Sequence, residues 1–441
     1  MNQADRIKAM FMADVDALAA QSELFAKDPA RDFTRFRKLS AKDVLLFPVL
    51  RERDTTNMEL LKYFDYSEYT PSMSAYFQQR KKLLPDTYRN LLHSFNSHFE
   101  PSLYKNKYIL TAVDGSGFNL FYNPKDPVTY IEPNKSSPKG HNEIHVTAAY
   151  QILDRIYSDA VIQPSPQKNE FAAICDLIDR CDTSKGIPLF IADRGFPSYN
   201  AFAHCFEKDV FFLIRVKELY VERLLHNDLP SGEGEFDVSV ERIIIRSKKK
   251  RFLAGLEYPM NIYRYINRNA RFDFIEVNAE GEYHMSLRVV RVKIPDGGYE
   301  YLITNLPADE FGLPALCDLY HLRWSIENSY RELKHAVGAQ DFNCRTFEYI
   351  VHEVWARLIL YNFCSRITAL VVIDKAGPKY AHQVNYSMAI KNSHTFLRQK
   401  PRDPPIKIID LIGKYTEPIR PGRNFARNHR FQLPMKFTYR H

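Results

Sequence analysis

Two stretches constrain the fold more than any other feature, KYILTAVDGSGF (residues 107–118) and IPLFIADRGF (187–196). The first is apolar on both alternations up to Val113, which suits a strand covered on both faces rather than one with a wet side. The second is another buried run, and it stops at Asp193. Each meets an aspartate beside a glycine, Asp114 and Asp193. Asp-Gly is common turn chemistry, so either aspartate alone reads as a turn residue. Together they read as two carboxylates delivered to the ends of neighbouring strands.

The surroundings support a sheet. HVTAAYQILD and YSDAVIQPS read as strands, NEFAAICDLIDRC as a helix, SYNAFAHCFEKD as a helix and VFFLIRVKE as a strand. The order predicts a mixed α/β sheet with helices on its faces. Between 222 and 303 the chain turns β-rich: FDVSVERIIIR, IYRYINR, FDFIEVN, MSLRVVRVKI and YEYLITNLP are separated by NRNAR, NAEGE and PDGGY. Helix returns at about 313 and runs to about 370. Residues 1–100 look helical, with Phe11, Val15, Leu18 and Phe25 on a helical beat and the basic stretch RDFTRFRK after it. In TPSMSAYFQQRKKLLP, Thr70 is the expected N-cap and Pro71 the first helical residue. Met73, Tyr76, Phe77 and Arg80 then share one face, and Ala75, Gln78, Gln79 and Lys82 the other. Such a helix pair resembles a DNA reader presenting Gln78, Gln79 and Lys82, although ordinary helix pairs look the same.

Composition narrows the partners. The net charge of +8, from 61 Lys+Arg against 53 Asp+Glu, favours a polyanion. The last forty residues are Pro-rich and basic, with Arg420, Arg423, Arg427, Arg430, Lys436 and Arg440 after Thr416, and are expected to form a partly extended arm. Six scattered cysteines without a CxxC argue against zinc or disulfides and for a reducing compartment. No signal-peptide pattern opens the chain, and LILYNFCSRITALVVI is interrupted by Asn362 and Arg366. A cytoplasmic protein without a membrane partner is expected.

A glutamate from a helix laid on the sheet would complete a three-carboxylate set free of thiolate and imidazole. That set suits Mg²⁺ or Mn²⁺. Two such ions serve in-line phosphodiester chemistry. The glutamate is Glu327, in YHLRWSIENSYRELK (320–334), where a continuous helix would align Tyr320, Glu327 and Lys334 with Arg323 beside them. Arg323 and Lys334 would neutralise phosphates, and Tyr320 would donate to one or stack on a base. The plainer alternative is a solvated helix face tied by the Arg323–Glu327 pair. Arg194 follows Asp193 and is either a phosphate contact or a solvent arginine. Ser116 either hydrogen-bonds near the site or caps a turn, and Lys135, Lys139 and His141 form a basic loop that either lines the groove or, as the plainer reading, is solvated. His141 and His145 are placed on a loop and a strand, and so are not read as a metal pair.

Tyr-x2-Arg-x3-Glu-x6-Lys, with VDGSGF at Asp114 and IADRGFPSY at Asp193, resembles the IS-four family of bacterial insertion-sequence DDE transposases. The resemblance covers roughly 105–365. It implies an RNase H-like core interrupted by a β-rich insertion, which would fill the 134 residues between Asp193 and Glu327. The resulting layout is a helical DNA-end-binding region at 1–100, core at 101–221, insertion at 222–303, core again at 304–375 and a basic region at 376–441. The implied activity is metal-dependent cleavage at terminal inverted repeats and strand transfer into target DNA, through a hairpin, by a homodimer in the DNA complex of a bacterial, nucleoid-associated protein. A flipped base would need an aromatic contact, and Tyr258, Tyr263, Tyr265, Tyr283 and Tyr299 all stay open for that role. The alternatives are an RNase H-like endonuclease that does not join ends, and a silent transposase-derived DNA-binding protein.

Overall fold

The structure, a computed structural model, describes residues 2–225, 230, 234–294, 297–339, 342, 344–373 and 381–419, without the side chains of 250 and 251. The part of the expected basic arm from 420 onward lies outside these residues.

Helices α1 (Gln3–Ala19), α2 (Ala41–Leu50), α3 (Thr56–Tyr63), α4 (Met73–Arg80) and α5 (Thr87–Ser97) come first. Strands β1 (Tyr108–Leu120), β2 (Tyr130–Ile131), β3 (His141–Gln151) and β4 (Ile156–Pro164) follow, then α6 (Glu170–Asp179), β5 (Ile187–Ala192), α7 (Tyr199–Glu207) and β6 (Phe211–Val216). The next segment holds α8 (Glu218–Leu225), β7 (Phe236–Ile245), α9 (Lys250–Ala254), β8 (Tyr263–Tyr265), β9 (Glu282–Lys293) and β10 (Tyr299–Thr304). Helices α10 (Leu313–Leu322), α11 (Trp324–Glu332) and α12 (Phe347–Thr368) lead to β11 (His382–Val384), α13 (Tyr386–Arg398), α14 (Ile408–Gly413) and β12 (Thr416–Pro418). The expected extended arm is thus a helix and a short strand as far as residue 419.

One ten-stranded sheet organises the chain in the order β2-β3-β1-β5-β6-β10-β9-β7-β8, with β4 also paired to β3. Strands β1, β5 and β6 run parallel, and β3 is antiparallel to β1. The double coverage read from the sequence is visible residue by residue. Leu189 and Ile191 point into a core shared with the N-terminal helices and α12, whereas Phe190 and Ala192 point into a second core with α6 and α7. The β-rich stretch continues this sheet through the β6–β10 pairing instead of folding apart. FDFIEVN forms no strand. Arg246 takes the carbonyls of Phe272 and Ile275 at 3.1 and 3.2 Å while those two side chains tuck into the core, so the segment is held by a guanidinium rather than a ladder.

The N-terminal helices share the first core with the sheet, so residue 100 is not a packing boundary. Helix α12 is buried almost all round, as a helix without a polar face must be. Glu353 on it joins Arg51 at 2.6 Å and Arg80 at 3.1 Å. This corrects the reading of α4. Its N-cap is Ser72, whose Oγ accepts from Ala75 N at 3.2 Å, and Pro71 precedes the cap. Arg80 is buried against α12, Tyr76 packs on Phe47 of α2, Gln79 is buried beside them, and Met73 is exposed.

Candidate active site

Strands β1 and β5 pair in register up to Val113 and Ala192, so the next residues, Asp114 and Asp193, stand side by side. Asp114 does not end its strand. There β1 leaves β5 but continues beside β3 to Leu120. The glycines after it serve packing, not a turn. A Cβ at Gly115 would lie 2.3 Å from Glu170 Oε1 and 2.5 Å from His145 Nε2, and one at Gly117 would lie 2.3 Å from Glu143 Oε2. Backbone amides fix both carboxylates, Gly115 N donating to Asp114 Oδ1 at 2.9 Å and Gly195 N to Asp193 Oδ1 at 2.8 Å.

Helix α11 brings the third acid. Its Tyr330 is buried, with the hydroxyl donating to the Asp114 carbonyl at 2.8 Å and accepting from Ala148 N at 3.2 Å. The tyrosine pins the helix to β1 at the residue that matters. Arg323 closes the arrangement. Its guanidinium lies 3.5 Å from Asp114 Oδ2 and 3.1 Å from Glu327 Oε1, with the side chain 4% exposed. Burial first, then the neighbouring Asp193 and Glu327, push the Asp114 carboxyl up to about 6, against the pull of Arg323 and the Gly115 amide. Three acids therefore share one electrostatic neighbourhood with one arginine between two of them.

These residues fit a hard divalent cation in kind, being oxygen donors without thiolate or imidazole. As placed, no three His, Cys, Asp or Glu side chains among the described residues stand close enough together to hold one, and Arg323 supplies the counter-charge.

The continuous helix expected over 320–334 is broken. Helix α10 ends at Leu322, Arg323 N bonds back to Tyr320 O at 3.1 Å, and a π-turn (Leu333–Val337) carries Lys334. The break turns Tyr320 into the core at 1% exposure, its hydroxyl facing Arg215 and Arg323 without a hydrogen bond of ordinary geometry. Lys334 is likewise turned inward. Its ammonium donates to Ser116 Oγ at 2.8 Å and to Gly117 O at 2.7 Å, and burial lowers its pKa. Arg194 is exposed beside Asp193. Of the helix-pair residues, Gln78 is open and donates to Ser74 Oγ at 3.3 Å, Gln79 is buried, and Lys82 pairs with Asp32 at 3.3 Å.

His141 and His145 both sit on β3, a correction to the loop placement, and each faces its own glutamate: Glu143 at 3.8 Å and Glu170 at 2.9 Å. Sequence reasoning missed Glu143, Glu170 and Tyr330; the one available signal was the glycine pair Gly115/Gly117, whose missing side chains make room for the first two. Of the five insertion tyrosines, Tyr258 and Tyr265 expose their rings, while Tyr263 is buried and Tyr283 bonds Glu207 at 2.9 Å. All six cysteines are free, and among the described residues no helix is long and apolar enough to cross a membrane.

Residues 105–363 match the family described as "Transposase DDE domain". No curated protein matches the chain. Among solved structures it is similar to a piggyBac transposase in a synaptic complex with hairpin DNA, at 11% identity and a TM-score of 0.42, covering 96% of this chain and 87% of that one. That likeness is too loose to carry an argument. The family match spans more than half of the sequence and includes Asp114, Asp193 and Glu327, and on that ground the chain belongs to the DDE-domain transposases.

Proposed function

We propose that this transposase cleaves DNA at the ends of an insertion sequence and joins the freed 3′-hydroxyls to target DNA, with Asp114, Asp193 and Glu327 as its acidic triad. The observation that carries the reading is the Arg323 bridge: a helix-borne glutamate and a sheet-borne aspartate, 213 positions apart, meet on one guanidinium beside the end of β5. The strand order β4-β3-β1-β5-β6, with β3 antiparallel to both of its neighbours there and β1, β5 and β6 parallel, agrees with an RNase H-like core.

In this reading the three carboxylates would hold two Mg²⁺ or Mn²⁺ ions. When bound, the ions supply charge neutralisation at the attacking and leaving oxygens of an in-line displacement. The protein's own residues do the rest. The amides of Gly115 and Gly195 orient two carboxylates, and Tyr330 holds the helix that presents the third. Arg323 is the cation nearest the acids and takes a phosphate oxygen once DNA arrives. Arg194 meets the backbone beside Asp193, and Gln78 with Lys82 meets it at the N-terminal helices. Two ends must be held together for joining, so a homodimer assembles on the DNA. A hairpin step would use Tyr258 or Tyr265 to hold a flipped base.

The test is a duplex carrying the element's terminal repeats, incubated with protein and Mg²⁺, followed by a joining assay with precut ends. Asp114→Asn, Asp193→Asn and Glu327→Gln should each lose cleavage by more than the roughly 10–100-fold typical of residues that only orient a metal ligand. Cleavage without joining would favour the endonuclease, and end binding without cleavage by the unaltered protein would favour a silent binder.

A further inference from the structure

The loop between α1 and α2 ends its first arm on Phe33 and begins its second on Leu39. Phe33 packs against Phe25 with ring centroids 5.1 Å apart, beneath the Lys82 ammonium at 5.6 Å, and the Asp32–Lys82 pair fastens the same point. Leu39 is buried, and Ser40 and Asp43 then cap α2 reciprocally at 3.1 and 2.9 Å. Both ends of the loop are anchored, and five residues, Thr34-Arg35-Phe36-Arg37-Lys38, are left standing off the surface.

Phe36 has 105% of its reference area in solvent, more than any other large apolar side chain described. A lone exposed apolar residue needs no explanation. This one differs in its company. Arg35 and Arg37 flank it, are exposed, and make no hydrogen bond or ion pair among the described residues. Lys38 lies 5.7 Å from the Tyr69 ring, itself 68% exposed. An apolar partner protein would be poorly served by three uncompensated cations around a single ring. Duplex DNA suits both parts: phosphates for the cations, and a base step for the ring.

The geometry points to a wedge. We infer that Phe36 inserts between stacked base pairs of the transposase's DNA while Arg35, Arg37 and Lys38 neutralise the adjoining phosphates. The inference rests on the transposase reading, yet is independent of the acidic triad. It adds a DNA contact on this loop to those proposed for Gln78 and Lys82. Because stacking surfaces are common to every base, the wedge should work on mixed-sequence DNA.

The test uses the full chain and a short mixed-sequence duplex carrying 2-aminopurine, whose fluorescence rises on unstacking. Wild type should raise that signal. Phe36→Ala should abolish it and weaken binding about tenfold at fixed salt, the scale of removing one ring from a base stack. The log-affinity against log-salt slope should not change, and Phe36→Trp should restore both signal and affinity. Arg35→Ala with Arg37→Ala should instead flatten the salt slope, by about 0.9 for each phosphate that is no longer neutralised. Since the Phe36 side chain packs on nothing, Phe36→Ala should unfold at the wild-type temperature. If Phe36→Ala binds and unstacks DNA like wild type, the wedge is wrong although cleavage by the triad stands. If wild type neither binds nor cleaves DNA, both readings fall. A wild type that needs Phe36 for anionic phospholipid vesicles, and not for DNA, likewise overturns the wedge.

Discussion

Two arginine–carboxylate clusters hold this molecule together, and they are built on opposite charge ratios. Behind the sheet, Glu353 is 2% exposed and faces both Arg51 and Arg80, with Cys344 Sγ at 2.8 Å from its Oε1. At the candidate active site, Arg323 bridges Asp114 and Glu327, with Asp193 adding to the negative field. The first cluster has more cation than acid and is sealed. The second has more acid than cation, and its carboxylates remain 19% and 32% exposed. Surplus acid at an accessible place is what a site prepared for cations requires; surplus arginine in a sealed place is what fastens helices. Charge ratio and access thus separate the functional cluster from the structural one, where ion-pair geometry alone does not.

The largest effect should come from breaking the sealed cluster. Glu353→Ala removes the carboxylate shared by two buried guanidinium groups, a change that typically costs about 3–5 kcal/mol. Denaturant unfolding should register that loss, a large part of a typical total of about 5–15 kcal/mol. A loss below about 1 kcal/mol would mean that the N-terminal helices are held to α12 by apolar packing alone.

The two clusters should also respond to acid with opposite signs. Against burial, which would raise it, Arg51 and Arg80 hold Glu353 down to about 2, below its ordinary 4.5. Its contribution is present above 4.5 and is lost as the pH falls toward 2. Asp114 is raised from 3.8 to about 6. The folded state therefore binds the extra proton between those values, and stability from this group rises as the pH falls from 6 to 3.8. Measured in chelator, Asp114→Asn should remove a component that favours the fold on acidification, and Glu353→Gln one that opposes it. Equal pH profiles for Asp114→Asn and wild type between about 4 and 6 would contradict the crowding of acids.

The sequence and the structure agree where chemistry is local and part where it is long-range. Strands β1 and β5 were legible because both their faces are apolar, and the adjacency of Asp114 and Asp193 was legible because each follows such a run. The break at Arg323 carries no proline or glycine, so helical periodicity passes through it unmarked, and Tyr320 and Lys334 were placed outward in consequence. The inward turn of α4 was hidden because Glu353, the partner of Arg80, lies 273 positions away along the chain, and the burial of Gln79 beside Arg80 went unread with it. Asp114-Gly115 carried a turn reading because nothing local says that His145 and Glu170 need the space at Gly115.

A smaller effect sharpens the role of Arg323. If it is the stand-in counter-charge, Arg323→Ala leaves the acids uncompensated, and added Mg²⁺ should stabilise that variant more than wild type. The difference should be about 2–4 °C in unfolding midpoint at a fixed scan rate, the size of about 1 kcal/mol in a domain of 150–250 residues. Equal shifts in both proteins would show that arginine and cation do not compete for the same carboxylates.

Lys334 should give an effect of similar size and the cleanest distinction. A phosphate clamp would be exposed, and its removal would flatten the salt dependence of DNA binding by about 0.9. In the structure the ammonium instead closes β1 against the π-turn through Ser116 and Gly117. Lys334→Met keeps most of the apolar stem and removes the two hydrogen bonds, so stability should fall by about 1–2 kcal/mol with the salt slope unchanged. The reverse pattern, an altered slope at constant stability, would mean that the side chain swings out to meet DNA. The acid-rich cluster would then have a second mobile cation beside Arg323, a feature the sealed cluster behind the sheet has no room for.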